Sequence, residues 1–588
     1  LTQDQGIAAL EAGNFADAIV ILEAAAEAAP ENGAIRYNLA QALRHVGREG
    51  DAIIQLTDAL ACDPELISAA QLLNYLLTYL QLRDPGGINA VGLAAAFNFN
   101  KVDHQVLGYT SLSYLKHCTA LGDALMQGRV LGWDAAAKWL LSSKGKSVLR
   151  DPLLLTTLST TANTDLDVEG LLTAVRRAIL LAPLKDTLRK RHILEFACAL
   201  ARQLEINEYV FAVSIDEQER FEDIIVNLPG LRDGSRAAAE NLLLKALYAP
   251  LWELLGEAGK DIDGRTIKPQ VLANQIADHM AKRCAEAKAA QGIDALGSIK
   301  DKTSQNVAQL YEENPYPRWL SLHAPSASGR RNQLIKHFTE IDRAFMDAPF
   351  KVLIAGSGTG QQAIDAALGY GQEASLTAID ISLASLAYAK YMANQFAVRN
   401  LHFIQCDILN AGLLDDVFDV IESVGVLHHM EDPWRGWKGL IEKLRPGGLM
   451  KIGLYSQAAR RSIASLRRDI KAQNLRGDEQ TIRAYRQDII ALGDEGKGAS
   501  LRQSADFYTL SNFRDLMFHV SECHMMIPEI AAFMATNDLT FHGFQMPLDI
   551  ADGYPEGDNS FNLEYWQDFE EAHPNTFKGM YVFWCRKT

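Results

Sequence analysis

The chain is 588 residues long, 48% hydrophobic and 22% charged, a balance typical of soluble globular proteins and long enough for about three or four domains. Its 57 basic and 73 acidic residues leave a net charge of −16, which excludes broad contact with nucleic-acid phosphates, and no apolar run of about 18 residues is present to span a membrane. Seven cysteines without disulfide or metal spacing point to reduced thiols and a cytoplasmic location. Leu1 to Gln5 lacks the basic flank and apolar core of a secretory signal. The chain opens without methionine inside a predicted helix, which places further residues upstream.

The first elements repeat. Gly13-Asn14-Phe15-Ala16-Asp17-Ala18-Ile19 overlays Gly47-Arg48-Glu49-Gly50-Asp51-Ala52-Ile53 at an offset of 34, which also carries Leu22 to Leu56, Ala25 to Ala59 and Pro30 to Pro64. The small residues Ala18 and Ala52 let paired helices approach closely. Each proline stops a helix, because it lacks the amide donor and restricts the residue before it. The pattern resembles the tetratricopeptide repeat, with two units over residues 1–66. A third unit would want a proline near position 98, where Asn98 stands. Two units fall short of a free-standing array and must dock on something else.

Residues 67–300 are rich in Leu and Ala at helical spacing, with stripes of Leu171, Leu172, Val175, Ile179 and Leu180 and of Phe196, Leu200 and Leu204. Asp151, ahead of Pro152, is a predicted N-cap, and Asp167 marks another helix start. Cys198, Cys284 and His192 have no partner at metal spacing, so they read as packed or surface residues. This stretch is predicted to be an α-helical domain without a catalytic constellation.

The pattern changes near Phe350. The apolar run Lys351 to Ala355 is followed by Gly356-Ser357-Gly358-Thr359-Gly360 and a helical stretch from Gln361 to Leu368. Strand, glycine-rich turn and helix bring backbone amides close to a nucleotide-like ligand. A second strand, Ser375 to Ile379, ends in Asp380, 24 residues after Gly356, where a carboxylate can accept hydrogen bonds from both hydroxyls of a ribose. A third strand, Leu401 to Gln405, ends in Cys406-Asp407-Ile408. A fourth, Val417 to Ser423, leads into Val424-Gly425-Val426-Leu427-His428-His429-Met430. Leu444-Arg445-Pro446-Gly447-Gly448 turns into a fifth, Leu449 to Leu454, and terminal strands are expected over Leu539 to Gln545 and Met580 to Cys585.

These motifs, in this order, resemble the class I S-adenosylmethionine-dependent methyltransferases. A dinucleotide-binding domain would want Gly-x-Gly-x-x-Gly instead. The resemblance implies a Rossmann-like α/β domain over residues 346–588, with a seven-stranded, mostly parallel sheet and helices on both faces. It implies S-adenosylmethionine as cofactor, with Gly356, Ser357, Gly358 and Gly360 under its methionine and ribose parts. Asp380 would hold the ribose hydroxyls, Ile381 would meet the adenine, Asp407 its amino group and Ile408 its other face, with Ser423 and Val424 beside them. Many members carry an acidic residue where this chain has Ile354. Without it, the contacts to the cofactor's amino-acid end are left open.

Three further stretches are expected to shape the substrate side. Tyr311-Glu312-Glu313-Asn314-Pro315-Tyr316-Pro317-Arg318-Trp319 lies in a leader, residues 301–345. Similar methyltransferases cap the pocket with such leaders, which makes Tyr311 and Tyr316 candidate site residues; an ordinary linker packing its aromatics is the alternative. An insertion, 456–526, places Ala459, Ile463, Leu466 and Ile470 on one helical face beside Arg460, Arg461, Arg467 and Arg468. Those arginines form either a solvated face or a receptor for an acidic substrate. His573 to Tyr581 leads into the last strand. The whole arrangement resembles a bacterial group of two-part tetratricopeptide–methyltransferases.

Methyl transfer from a sulfonium is an in-line displacement, so alignment does much of the work. His428 and His429, just past strand four, are the candidate bases, and no metal or Ser/His/Asp spacing competes. The first reading is a methyltransferase whose repeats recruit a peptide or protein acceptor. The second is a small-molecule methyltransferase whose helical half covers the site or pairs copies in a homo-oligomer. The third is a repeat scaffold with a degenerate catalytic domain, supported by Ile354.

Overall fold

Leucine and alanine at every third or fourth position give the first part of the chain its helices, and apolar runs bounded by glycine give the second part its strands. The computed structural model describes residues 2–80, 82, 84–182, 188–262, 267–268, 270–323, 329–546 and 557–588. They fall into two compact units: Leu1–Arg283 with Leu320–His323 and Phe507–Leu510, and Cys284–Trp319 with Ala324–Asp506 and Ser511–Thr588. No helix among the described residues is long and apolar enough to cross a membrane.

In the first unit the helices Gln3–Glu11, Phe15–Ala28, Gly33–His45 and Glu49–Cys62 stack in succession. Ala18 and Ala52, the small residues of the repeat, are fully buried where neighbouring helices meet. What the two repeats dock on is the chain that follows: the helices Ile67–Tyr79 and Ala90–Ala96 both pack on Glu49–Cys62. Farther on, Asp151 accepts from the amides of Leu153 and Leu154 at 2.9 and 3.2 Å, as an N-cap should. The cap of the next helix, Leu166–Leu181, is Asp165; Asp167 sits in its first turn, where a negative charge suits the helix dipole.

The second unit is built on one sheet. Its strands are β1 (Asp294–Ala295), β2 (Phe350–Ala355), β3 (Ala374–Asp380), β4 (Leu401–Gln405), β5 (Phe418–Val424), β6 (Leu444–Tyr455), β7 (Leu539–Phe544) and β8 (Met580–Lys587), in the order β1-β4-β3-β2-β5-β6-β8-β7. Among the described residues β8 pairs antiparallel with both β6 and β7, and every other strand pair is parallel. The sheet therefore has eight strands among the described residues, not seven; the extra one is β1, two residues too short to leave a period in the sequence. Arg445 to Gly448, expected as a turn, lies inside β6, and a register shift between Phe418 and Val420 accommodates it. Leu353, Ile379, Ile421, Ile452 and Phe583 bury one apolar layer against Trp437 and Leu440 of the helix Pro433–Lys443 and Ile530 of the helix Ile527–Thr536.

One polar cluster bears on the stability of the first unit. Arg176 and Glu217 pair at 3.0 Å, 1% and 2% exposed, and the Tyr248 hydroxyl donates to Glu217 at 2.6 Å. Removing one partner strands the other charge in a low-dielectric interior. Arg176→Met is expected to destabilise this unit by about 3–5 kcal/mol, read from the shift in its chemical unfolding transition. A loss below about 1 kcal/mol would mean that the pair is dispensable.

Candidate active site

The strand order turns back on itself between β2 and β5. Connections leaving the C-terminal ends of those strands diverge, and the crevice between them is the expected ligand position in a sheet of this kind. A cavity of about 280 Å³ lies there. Gly356 and Gly358 form its floor with positive φ angles of +77° and +51°. A Cβ at Gly356 would lie 2.3 Å from a Val426 methyl, and one at Gly358 would lie 2.9 Å from the Tyr316 carbonyl. Only glycine fits either place. Gly360 is not on the cavity; it lets the following helix, Gln361–Tyr370, pass close to Ala389.

Asp380, at the end of β3, ties this loop down. One carboxylate oxygen accepts from the Gly358 amide at 2.7 Å, the other from the Ser382 amide at 2.9 Å. The Gly356 and Ser357 amides donate to the Ile379 carbonyl at 2.8 and 3.0 Å. Burial raises the Asp380 carboxyl above its usual range against the pull of those amides. The Ile381 amide also bonds the carboxylate, and of its roughly four lone-pair sites at least one is left for a further donor. Nearby, the Ser357 and Ser385 hydroxyls are buried on the cavity wall without a partner among the described residues. Ile381, Asp407, Ile408 and Val424 also line the cavity, and Asp407 spends one oxygen on the Leu409 amide at 2.9 Å. Ser423 stays off the wall, buried with its hydroxyl unpaired among the described residues.

The leader forms the opposite wall. Glu312, on the helix Lys302–Glu313, accepts from the Ala384 amide at 3.2 Å and from that of Leu383, the first amides of the helix Leu383–Gln395. The Trp319 indole donates to the Thr359 carbonyl at 3.0 Å. Pinned at both ends, the leader puts Tyr311 and Tyr316 on the cavity, their rings stacked at 6.3 Å and 18°.

The two candidate histidines part company. His429 lines the cavity and donates from Nδ1 to the Ser521 carbonyl at 2.9 Å. His428 is off the cavity, fully buried behind Tyr455 with ring centroids 3.6 Å apart, and both its ring nitrogens lack a partner among the described residues. Burial lowers the pKa of both imidazoles. Beside His429 stand two groups from the insertion that sequence reasoning missed, Asp515 and His519. The Tyr311 hydroxyl reaches Asp515 at 2.8 Å and His519 Nε2 at 3.2 Å. The four-residue spacing of Asp515 and His519 was the available signal, since it puts both on one face of a helical turn.

The insertion's arginines divide. Arg461 and Arg468 are exposed. Arg460 and Arg467 are neither solvated nor open to a substrate: both pair with Glu522, at 2.8 and 3.2 Å, and Arg467 also donates to the His519 and Leu516 carbonyls. Burial works against the charge of Glu522, but His524 and the two guanidiniums outweigh it and bring the carboxyl to about 2.

The carboxylate missing at Ile354 is present next door. Glu422 on β5 is the register partner of Ile354 on β2. It is fully buried, accepts from Gln362 at 3.0 Å and Tyr370 at 2.8 Å, and faces Arg330 at 3.4 Å. Gln362 in turn lines the cavity. Sequence reasoning looked only along β2 and missed it.

Two family models match the chain. Residues 347–497 match a methyltransferase domain and residues 4–67 a tetratricopeptide repeat. Over 279 residues the chain is 30% identical to an uncharacterized protein of Synechococcus sp., a match covering 42% of this chain and 62% of that one. Among solved structures, PKMT2 from Rickettsia typhi in complex with AdoHcy is similar at 15% identity and a TM-score of 0.33, covering 43% of this chain and 54% of that one. Magnesium protoporphyrin IX methyltransferase from Synechocystis PCC 6803 with bound SAH is similar at 10% identity and a TM-score of 0.26, covering 49% and 100%. The chain thus spans less than two thirds of the length of the Synechococcus protein and of PKMT2.

The Glu422 cluster has a pH signature. Burial and Arg330 push the Lys451 ammonium down to about 8, against the attraction of Glu422 and Asp365. An unfolded lysine titrates near 10.4, so between about pH 8 and 10.4 the unfolded chain binds more protons at this group and stability rises with pH. Relative to Lys451→Met, the wild type is expected to gain on the order of 3 kcal/mol across that window. Denaturant titrations of both proteins at several pH values measure it. Parallel stability curves would contradict it.

Proposed function

We propose, for a chain that carries a methyltransferase domain behind tetratricopeptide repeats, that it transfers the methyl group of S-adenosylmethionine to an acceptor which its helical half recruits as a peptide or protein. The observation that carries the cofactor is a set of unused polar groups around one cavity. Asp380 and Asp407 have open lone pairs, and among the described residues the Ser357 and Ser385 hydroxyls lack partners, above a floor that any side chain would fill. A nucleoside with two ribose hydroxyls, an adenine amino group and a polar amino-acid tail fits that inventory. Asp380 would take the ribose, Asp407 the adenine amino group, Ile381 and Ile408 the ring faces. Glu422, acting through Gln362, stands where the carboxylate of similar domains is expected, and this weakens the scaffold reading.

When bound, the cofactor supplies an electrophilic methyl group on a sulfonium. The chain's own contribution is alignment, which in favourable cases lowers a barrier by roughly 7–11 kcal/mol. The wall of Tyr311, Tyr316 and Tyr455 excludes water from the acceptor end. An acceptor that must lose a proton finds His429 on that wall, whose Nδ1 is held by Ser521. His428, sealed behind Tyr455, packs.

The repeats support a peptide or protein acceptor, because stacked helical repeats present extended binding surfaces. A small-molecule acceptor is the second reading, favoured by the aromatic residues that line the acceptor end. Radiolabelled methyl transfer in desalted and undesalted lysate separates the two. Label confined to material lost on desalting would leave the small-molecule reading standing.

Asp380→Ala is expected to weaken S-adenosylmethionine binding by about 1.5–3 kcal/mol, measured by calorimetry. Asp380→Asn, which can still accept from one loop amide, should lose less. Unchanged affinity in both folded variants would place the ribose elsewhere. Deleting residues 1–66 should leave cofactor affinity nearly unchanged, since the whole cavity lining lies beyond residue 300, while KM for the native acceptor rises. The deletion uncovers the face of Ile67–Tyr79, so the product must first be shown monodisperse. An unaltered KM would remove the repeats from substrate recruitment.

A further inference from the structure

We propose that His429, Asp515 and His519 form a binding site for a divalent cation of the zinc type at the acceptor end of the cavity. One ring nitrogen from each histidine and a carboxylate oxygen of Asp515 all lie within 4.8 Å of one another. The three residues come from separate parts of the unit, the turn after β5 and the end of the insertion, yet they are only 6%, 4% and 4% exposed.

Hydrogen bonding fixes what these groups offer. The Ser521 carbonyl, which can only accept, lies 2.9 Å from Nδ1 of His429 and 2.6 Å from Nδ1 of His519. Both Nδ1 atoms therefore carry the proton, and in each neutral ring Nε2 is left with a bare lone pair. The Ser521 amide also approaches Nδ1 of His519, at 3.1 Å. That nitrogen cannot serve both groups, and a cation on Nε2 selects the tautomer in which Nδ1 donates to the carbonyl.

The count of donors does not balance. Asp515 and Nε2 of His519 share a single proton, that of the Tyr311 hydroxyl at 2.8 and 3.2 Å. Among the described residues nothing donates to Nε2 of His429. Three electron-pair donors and one proton in a buried pocket make an incomplete network, and a cation completes it. Two imidazoles and one carboxylate are a zinc-type ligand set, and a histidine that anchors its other nitrogen on a backbone carbonyl is the usual outer-sphere arrangement. Magnesium and calcium would want oxygen ligands instead. The neighbouring positive charges are already answered, since Arg460 and Arg467 both lie on Glu522. His429 and Asp515 line the cavity, so a remaining coordination position is open to water or to an acceptor group. With the ion in place His429 acts as a ligand, not as a base.

The test is metal binding by the full-length chain, without S-adenosylmethionine or acceptor, so its outcome is independent of methyl transfer. The protein is stripped with chelator and titrated with Zn²⁺ alone by calorimetry. Co²⁺ is then added to the stripped protein and its visible spectrum recorded. One ion per chain is expected, with a nitrogen/oxygen-ligated Co²⁺ spectrum. Asp515→Asn and His519→Gln should each weaken Zn²⁺ binding by about 10–100-fold or more, whereas His117→Gln, a change at an exposed helix position, should not. Zn²⁺ should also raise the melting temperature of the wild type but not of folded variants. Absence of a bound ion, equal affinity in the variants, or a thiolate charge-transfer band from one of the cysteines would overturn the proposal. If both variants misfold, the wild-type stoichiometry and Co²⁺ spectrum decide it alone.

Discussion

Much of the second unit hangs on the carboxylate of Asp380. With one oxygen on the amide of Gly358 and the other on that of Ser382, it couples the glycine loop after β2 to the start of the helix after β3. Two buried hydrogen bonds to a charged group hold more firmly than the neutral kind, and here they fix a loop that could otherwise take many shapes. The burial that raises the carboxyl's pKa gives the site an unmet demand for donors. One side chain thus both ties the loop and lines the cavity.

The other wall depends on residues distant in sequence. Glu312 caps the helix Leu383–Gln395, Trp319 holds Thr359, and Arg460 and Arg467 converge on Glu522. The first two are bonds between the leader and the sheet's loops, made at a helix start and a carbonyl that need a partner anyway; the ion pairs close the insertion on itself. Both stretches, expected from the sequence to shape the substrate side, contribute residues to the cavity.

The sequence was most legible where chemistry is local. The strand period, the alternating glycines, and acids at the ends of β3 and β4 were all visible within short windows, and they gather around one cavity. Legibility ended where a partner comes from elsewhere. Ile354 looked like a lost carboxylate because Glu422, its partner across the register, belongs to another strand. The adjacent His428 and His429 were indistinguishable until Tyr455 covered one of them. The arginines of the insertion looked like a surface because Glu522, more than 50 residues later in the chain, could not be placed beneath them. β1 was invisible because two residues carry no period.

The glycine loop, Asp380, Asp407 and the residues around them lie within 356–426, whereas Tyr311, Tyr316, Asp515 and His519 come from the leader and the insertion. The two groups of residues can therefore accumulate changes at different rates. A duplicated copy of this gene could replace the insertion, and with it Asp515 and His519, while the glycine floor and its acids stayed as they are. Diversification by exchange of one segment is open to such a chain in a way it is not to an enzyme whose two ligand walls alternate along the same strands.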